Sequence, residues 1–232
     1  TPKTIDGEVR ISVAELGASR ASLRIERTGG ESRFVQTVSL TDGAADDRID
    51  IRNEIDWREP HALLKAEFPL SVANPEATYD LGLGTIRRGN NTDTAYEVCA
   101  QQWADLTDQN GSYGVAVLND SKYGWDKPAD NTLRLTLLHT PRTRGRYAYQ
   151  EHQDWGYHTF TYSIVGHPGD LRKAGIDLKA EALNNPLYAF RTDKHPGTLG
   201  RRFSMVSTSG ENIEIKALKQ SEDGDCYVVR VY

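Results

Sequence analysis

The chain has 232 residues, 38% of them hydrophobic, with 28 basic against 33 acidic side chains and a formal net charge of -5. That length buries a substantial core, and charges mixed along the chain with no basic block exclude a partner gripped through its phosphates, so no nucleic acid is expected. Two cysteines and one methionine exclude a disulfide framework and a thiolate zinc site, and no apolar run approaches the roughly 20 residues that cross a bilayer, so a soluble protein with no membrane partner is expected.

From the N-terminus, Val9, Ile11 and Val13 alternate with Glu8, Arg10 and Ser12, the period of two that a strand needs. Ala21, Leu23 and Ile25 alternate next, and Thr28-Gly29-Gly30 turns the chain into a partner strand over 34–40. The cleanest pattern follows. Ile49, Ile51, Ile55 and Trp57 share one face, Asp50, Arg52, Glu54 and Asp56 the other, so one side is dry and one wet. Asn53 falls on the dry face and should find a hydrogen-bond partner there or mark a sheet edge. Leu64, Ala66 and Phe68 repeat the alternation against Lys65 and Glu67, with Pro69 ending the ladder. A strand is expected over 79–86, with Tyr79, Leu81 and Leu83 on one face. After it Arg87 and Arg88 open a polar loop, where two neighbouring guanidiniums either clamp a carboxylate or hydroxyls or stand solvated at a strand end.

The stretch 113–141 organises the rest. Val115 and Val117 share a face of its first strand, and Leu133, Leu135 and Leu137 share a face of its second. Between them the sequence reads as a polar loop over 119–131 that carries Asn119, Asp120, Lys122, Tyr123, Trp125, Asp126, Lys127 and Asp130. Loops held by a rigid sheet are where binding residues tend to sit. Tyr123, Trp125 and Trp155 are rings of the kind that stack on a sugar, although rings in β-proteins more often belong to the core. Asp120, Asp126 and Asp130 are the carboxylates from which a glycosidase pair would be drawn.

Beyond Pro141, the sequence HQDWGYH offers His152, Asp154 and His158, side chains of the type that hold zinc. Gly156 interrupts the spacing, and His158 is in phase with Phe160 and Tyr162, so it reads as a histidine satisfied by a hydrogen bond inside the fold and no metal is assigned. One or two short helices fit 169–185, ending before Pro186. Strands are expected near 203–207, 213–218 and 226–231; whether Cys99 and Cys226 pair is left open. The chain lacks an initiating Met and stops on a strand, which suggests a piece of something longer. About fourteen strand-like runs with turn signals between them mean an all-β fold, a large antiparallel β-sandwich taken as one domain over 1–232.

Seven pieces carry a resemblance: NEIDWREPHALLKAEFPL, ATYDLGLGTIRRGNNTDT, QQWADLTDQNGSYGVAVLNDSKYGWD, NTLRLTLLHTPR, DWGYHTFTYSIVGHPGD, NNPL and EDGDCYVVRVY. In that order they resemble the C-terminal β-domain of glycoside hydrolase family 38, the retaining, zinc-dependent α-mannosidases, from about Arg48 to the end. The resemblance implies a supersandwich like that of galactose mutarotase, which in the family packs on an N-terminal catalytic α/β domain and a helical bundle of the same polypeptide. Those domains and mannose-containing glycans are the implied partners. It also implies that zinc and the aspartate nucleophile belong upstream, so this fragment is expected to hold no cofactor and to be inactive alone. HQD at 152–154 lies within the family's D-x-G-x-H-x-F-x-Y run and is not its zinc motif. The domain's implied share is part of the pocket wall and a docking surface, with Arg87, Arg88, Asn119, Asp120, Lys122, Tyr123, Trp125, Asp126 and His158 as candidates. Two other readings stand beside it: a free-standing carbohydrate-binding module, and a mutarotase-type epimerase using His158 with a carboxylate. The resemblance leaves the compartment open, since the family has cytosolic, lysosomal, Golgi and secreted bacterial members; a soluble protein of the cytoplasm, or of a bacterial periplasm or medium, is expected.

Overall fold

The computed structural model describes residues 2–43, 47–210 and 213–232. It divides into two compact units, Thr1–Leu187 and Tyr188–Tyr232. In the first unit the chain forms β1 (Val9–Leu16), β2 (Arg20–Gly29), β3 (Ser32–Thr41), β4 (Arg48–Trp57), β5 (Ala62–Pro69), β6 (Glu76–Asp80) and β7 (Thr85–Gly89). It continues with β8 (Val98–Cys99), β9 (Trp103–Thr107), β10 (Tyr113–Asn119), β11 (Gly124–Ala129), β12 (Thr132–Thr140) and β13 (Gly156–Pro168), then α1 (Ile176–Asn184). A short 3-10 turn over Gly145–Gln150 precedes β13.

A nine-stranded sheet runs in the order β1-β2-β3-β4-β13-β10-β9-β6-β7, and a four-stranded sheet in the order β5-β12-β11-β8. Neighbours pair antiparallel throughout, for example β4 with β13 and β5 with β12. The antiparallel all-β fold expected from the alternation is therefore the fold observed, with α1 as its one α-helix among the described residues. Ile51, Ile55 and Trp57 of β4, Val115 and Val117 of β10, and Leu133, Leu135 and Leu137 of β12 meet in the core between the two sheets. Burying these side chains away from water is the main drive for stacking the sheets. Asn53 is buried among them with its needs met: its amide NH2 donates to the Ile51 carbonyl at 2.9 Å, and its Oδ1 accepts from Gln36 Nε2 at 2.9 Å.

A smaller core lies on the other side of the nine-stranded sheet. There Ala116 and Leu118 of β10, Trp103 and Val165 pack under Ile176 and Ala180 of α1, so β10 is buried on both faces. Trp103 Nε1 donates to Asp177 Oδ1 at 2.9 Å and fixes the helix over the sheet. Gly175, which interrupts the helical spacing in the sequence, is the residue that starts α1, with φ of 66°, a region where a side chain would be strained.

Three expectations are corrected. The run 79–86 is two strands, because Gly82 and Gly84 adopt φ of 84° and 103° and the Leu81 N–H reaches the Gly84 carbonyl at 2.9 Å, leaving Leu81 and Leu83 in an exposed turn. The polar stretch 119–131 is mostly not a loop, since residues 124–129 form β11, paired on both sides. Residues 203–207 form no strand. No strand among the described residues pairs with them, and all but half-buried Val206 are exposed.

The second unit is a hairpin of β14 (Ile215–Gln220) and β15 (Tyr227–Val231), preceded by exposed chain without helix or strand over 188–203. Cys99 and Cys226 are both free and exposed.

Candidate functional site

The chain leaves the nine-stranded sheet at Asn119 and enters the four-stranded sheet at Gly124, so four residues bridge the layers. Asn119 builds this turn. Its buried Oδ1 accepts the backbone N–H of Ser121 at 3.1 Å and of Lys122 at 2.6 Å, and its own carbonyl accepts from Asn184 Nδ2 at 3.0 Å. Asp120 ties the turn to β13: its N–H donates to the Thr161 carbonyl at 3.1 Å and its Oδ2 accepts the Thr161 N–H at 2.9 Å. Short polar side chains that satisfy backbone donors in this way are why Asn and Asp dominate turns. Asn119 and Asp120 are spent on holding the bridge.

Beyond them the bridge carries half-buried Lys122 and exposed Tyr123. The Lys122 ammonium stands 4.4 Å from the centroid of the Phe160 ring. Burial pushes its pKa below the usual lysine value, against the pull of Asp154 and Asp120. Tyr123 is 56% exposed. Half-buried His158, on the same face of β13 as Phe160, shares a 2.7 Å hydrogen bond between Nε2 and the Asp154 carbonyl, the satisfied histidine its phase suggested. The structure thus brings Asn119, Asp120, Lys122 and His158 to the first half of β13, between His158 and Tyr162, with Tyr123 following on the bridge.

The other candidates lie elsewhere. Trp125 is fully buried in the core between the sheets and presents no face to a ligand. Asp126, on the opposite face of β11, is buried and accepts from Lys65 Nζ at 2.7 Å, from Asn91 Nδ2 at 2.9 Å and from the Arg134 guanidinium. Burial alone would raise its pKa, but the hydrogen bonds from Arg134, Lys65 and Asn91 outweigh that and hold it below the usual carboxylate value. Lys127 is buried beside it, donating to Asn90 Oδ1 at 2.5 Å and to the Ala129 carbonyl at 2.8 Å. Arg87 and Arg88 point to opposite faces of β7, as successive strand residues must. Arg87 pairs with Glu76 at 3.1 Å, while Arg88 donates to the Cys99 carbonyl at 2.8 Å and lies over the Tyr79 ring. They form no joint clamp.

Sequence reasoning missed a second buried polar pair. Asp105 on β9 accepts the Thr107 hydroxyl at 2.7 Å and His167 Nε2 at 2.8 Å, with both members almost fully buried. Burial opposes a charge on His167, yet Asp105 outweighs it and raises the imidazole pKa above its ordinary value. The signal was available: Gly114 on β10 faces both Thr107 and His167, and a Cβ there would sit 2.5 Å from the His167 ring. Asp105 also floors a cleft of about 430 Å3 that Arg87, Thr78 and Asp108 line.

Zinc, implied by the resemblance for a whole enzyme, does not fit the described residues. Among the described residues no three His, Cys, Asp or Glu side chains cluster to hold a metal ion. In the HQD stretch, His152 packs edge-on against Trp155 at 4.4 Å, and Asp154 Oδ2 accepts the His139 N–H at 2.8 Å. No helix among the described residues is long and apolar enough to cross a membrane.

Compared with known proteins, residues 1–143 match the family described as "Glycosyl hydrolases family 38 C-terminal domain". "Alpha-mannosidase G" of Dictyostelium discoideum is 33% identical over 209 residues, which is 88% of this chain and 18% of that protein. "Alpha-mannosidase 2C1" of Homo sapiens is 33% identical over 207 residues, 87% of this chain and 19% of that protein. The crystal structure of an alpha-mannosidase from Enterococcus faecalis V583 superposes with a TM-score of 0.84 at 18% identity, covering 97% of this chain and 30% of that one, which establishes a shared fold. The chain thus spans less than a fifth of the length of these curated relatives.

Proposed function

The chain belongs to the C-terminal domains of glycosyl hydrolase family 38, and from that premise we propose that it is the C-terminal β-domain of a longer α-mannosidase. That enzyme hydrolyses terminal α-mannosides in glycans with retention of configuration and with zinc. The observation that carries the reading is the family match over 1–143 together with relatives named alpha-mannosidase that are several times longer. A retaining glycosidase needs two carboxyl groups flanking the scissile bond. The bridge has one carboxylate, Asp120, which is bound to the Thr161 N–H and the Ser121 hydroxyl, so the reactive pair and the metal belong to the rest of the polypeptide.

This domain, 1–232, supplies a docking surface and one piece of pocket wall. The wall is the bridge at 119–123, where Asn119 and Asp120 fix the backbone and Lys122 and Tyr123 offer an ammonium, a hydroxyl and a ring face. Those are the donors and the flat apolar surface that a sugar's hydroxyls and C–H face accept. The enzyme is soluble and takes mannose-containing glycans.

The test compares the 232-residue chain with the intact polypeptide on 4-nitrophenyl α-mannoside. The intact protein should release α-mannose first, by NMR, and lose activity to a chelator; the chain alone should do neither. Cleavage by the chain alone would overturn the reading. Saturable binding of mannose oligosaccharides to the chain alone, by calorimetry, would replace it with a free-standing binding module. In the intact enzyme, Lys122→Ala with Tyr123→Phe should lower kcat/KM about fivefold to hundredfold. Unchanged kinetics would reduce the bridge to scaffold.

A further inference from the structure

The nine-stranded sheet is wider than its cover. Register pairing puts Val9, Ile11 and Val13 of β1 on one face with Leu23 of β2, Leu40 of β3 and Ile49 of β4. This is the face that, further along β4 and β13, packs against the four-stranded sheet. Over β1 and β2 the four-stranded sheet does not reach, and these six side chains remain 37% to 63% exposed. The opposite face of the same strands carries Arg10, Arg24, Glu26 and Arg52, the ordinary partner of water. Singly exposed apolar residues need no explanation, but six on one contiguous sheet face mark a contact surface. β1 is also the last strand of the sheet, so no strand among the described residues pairs with its outer backbone edge.

The occupant follows from where the chain enters. Pro2, Lys3, Thr4 and Ile5 run along a groove of about 730 Å3 whose walls include Phe34 and Phe68. The Ile5 carbonyl accepts from Arg27 Nη1 at 3.3 Å, and Arg27 is the register partner of Val9. Gly7 then passes so close to β2 that a Cβ would stand 1.9 Å from the Thr28 carbonyl oxygen. The groove is walled by Arg27 of β2 and Gln36 of β3, which share the sheet face of the six uncovered side chains, so polypeptide preceding Pro2 starts next to that face. The family is one of C-terminal domains, and the relatives are more than five times longer than the matched region, so such polypeptide lies on the N-terminal side.

We propose that the uncovered face of β1 to β4 is the docking seat for the preceding part of the same polypeptide, which lays an apolar segment over β1 and β2. This rests on the reading of the chain as the C-terminal domain of a longer protein, and it places the docking surface on this face and not on the bridge.

The test measures hydrogen exchange and thermal unfolding on the 232-residue chain and on the intact polypeptide. Amides of residues 9–16 should exchange about tenfold more slowly in the intact protein. Ile11→Lys with Leu23→Lys should leave the Tm of the chain alone within about 2 °C and lower that of the intact protein by more, while Leu83→Lys in the exposed β6–β7 turn changes neither. Equal exchange in both proteins, with the lysines tolerated in both, overturns the proposal. So does a dimer of the 232-residue chain in sedimentation that Ile11→Lys dissolves, because the occupant is then a second copy. Exchange needs no activity: a protected β1 in an intact protein inert toward α-mannosides keeps the seat and sinks the catalytic reading, and an unprotected β1 in an active one does the reverse.

Discussion

Asp126 and His167 are buried in one sandwich, and acid acts on them in opposite senses. Asp126 has its pKa held below the unfolded value, so its contribution is complete above about pH 4 and is lost as pH falls through the folded value. His167 has its pKa raised, so its contribution is complete below about pH 6.5 and is lost as pH rises through the folded value. Urea midpoints measured from pH 5 to pH 9 should therefore decline as pH rises past about 6.5, and His167→Gln should flatten that decline. An unchanged slope in the variant would mean that Asp105 does not hold a proton on the imidazole. Asp126→Ala leaves Lys65 and Arg134 facing a vacated carboxylate site. It should cost about 1 to 3 kcal/mol at pH 7 by chemical denaturation, because two half-buried cations lose the charge-assisted hydrogen bonds they share and keep only Glu97 and Glu67.

Elements with one dry face were legible, and elements whose burial is polar were not. β4 reads directly from Ile49, Ile51, Ile55 and Trp57, since each outward residue is charged and each inward one, Asn53 apart, is apolar. β11 hides because its sequence, GWDKPA, carries two charges and a proline yet is buried through Trp125, Asp126 and Lys127. The missing information was the partners, Lys65 and Arg134, which lie on β5 and β12 and meet Asp126 only once three strands are paired. For the same reason Trp125 reads as a ring for sugars until the fold closes over it. Truncating it to Ala should cost about 3 to 5 kcal/mol, the scale of a large core cavity, with a cooperative transition retained. A loss under about 1 kcal/mol would mean the ring is not in the packed core. The bridge itself was partly legible: Asn119 and Asp120 have turn chemistry, but that Asp120 serves the backbone of β13 needed the position of Thr161.

At the scale of the whole molecule, the ordered series of motif pieces carried the family and no single residue did. Alternation gave the all-β class, whereas the division at Leu187 has no signature beyond a loss of periodicity. The exposed stretch 188–203 bears Arg191, Lys194, Arg201 and Arg202 without helix or strand, so brief trypsin treatment should cut there first and leave a resistant piece ending near Arg191. First cuts inside β1 to β13, read by mass spectrometry, would contradict that.

The ladder between β4 and β13 joins residues far apart in the chain, with Asn53 and Phe160 separated by 107 positions. On a ribosome, β1 to β4 are complete long before their neighbour exists, so β4 waits as a naked template while more than a hundred further codons are read. During that interval any passing strand competes for the vacancy, and the nascent hairpins depend on chaperones or dilution for protection. Closure over so wide a span places assembly among slow folders, on the millisecond to second scale.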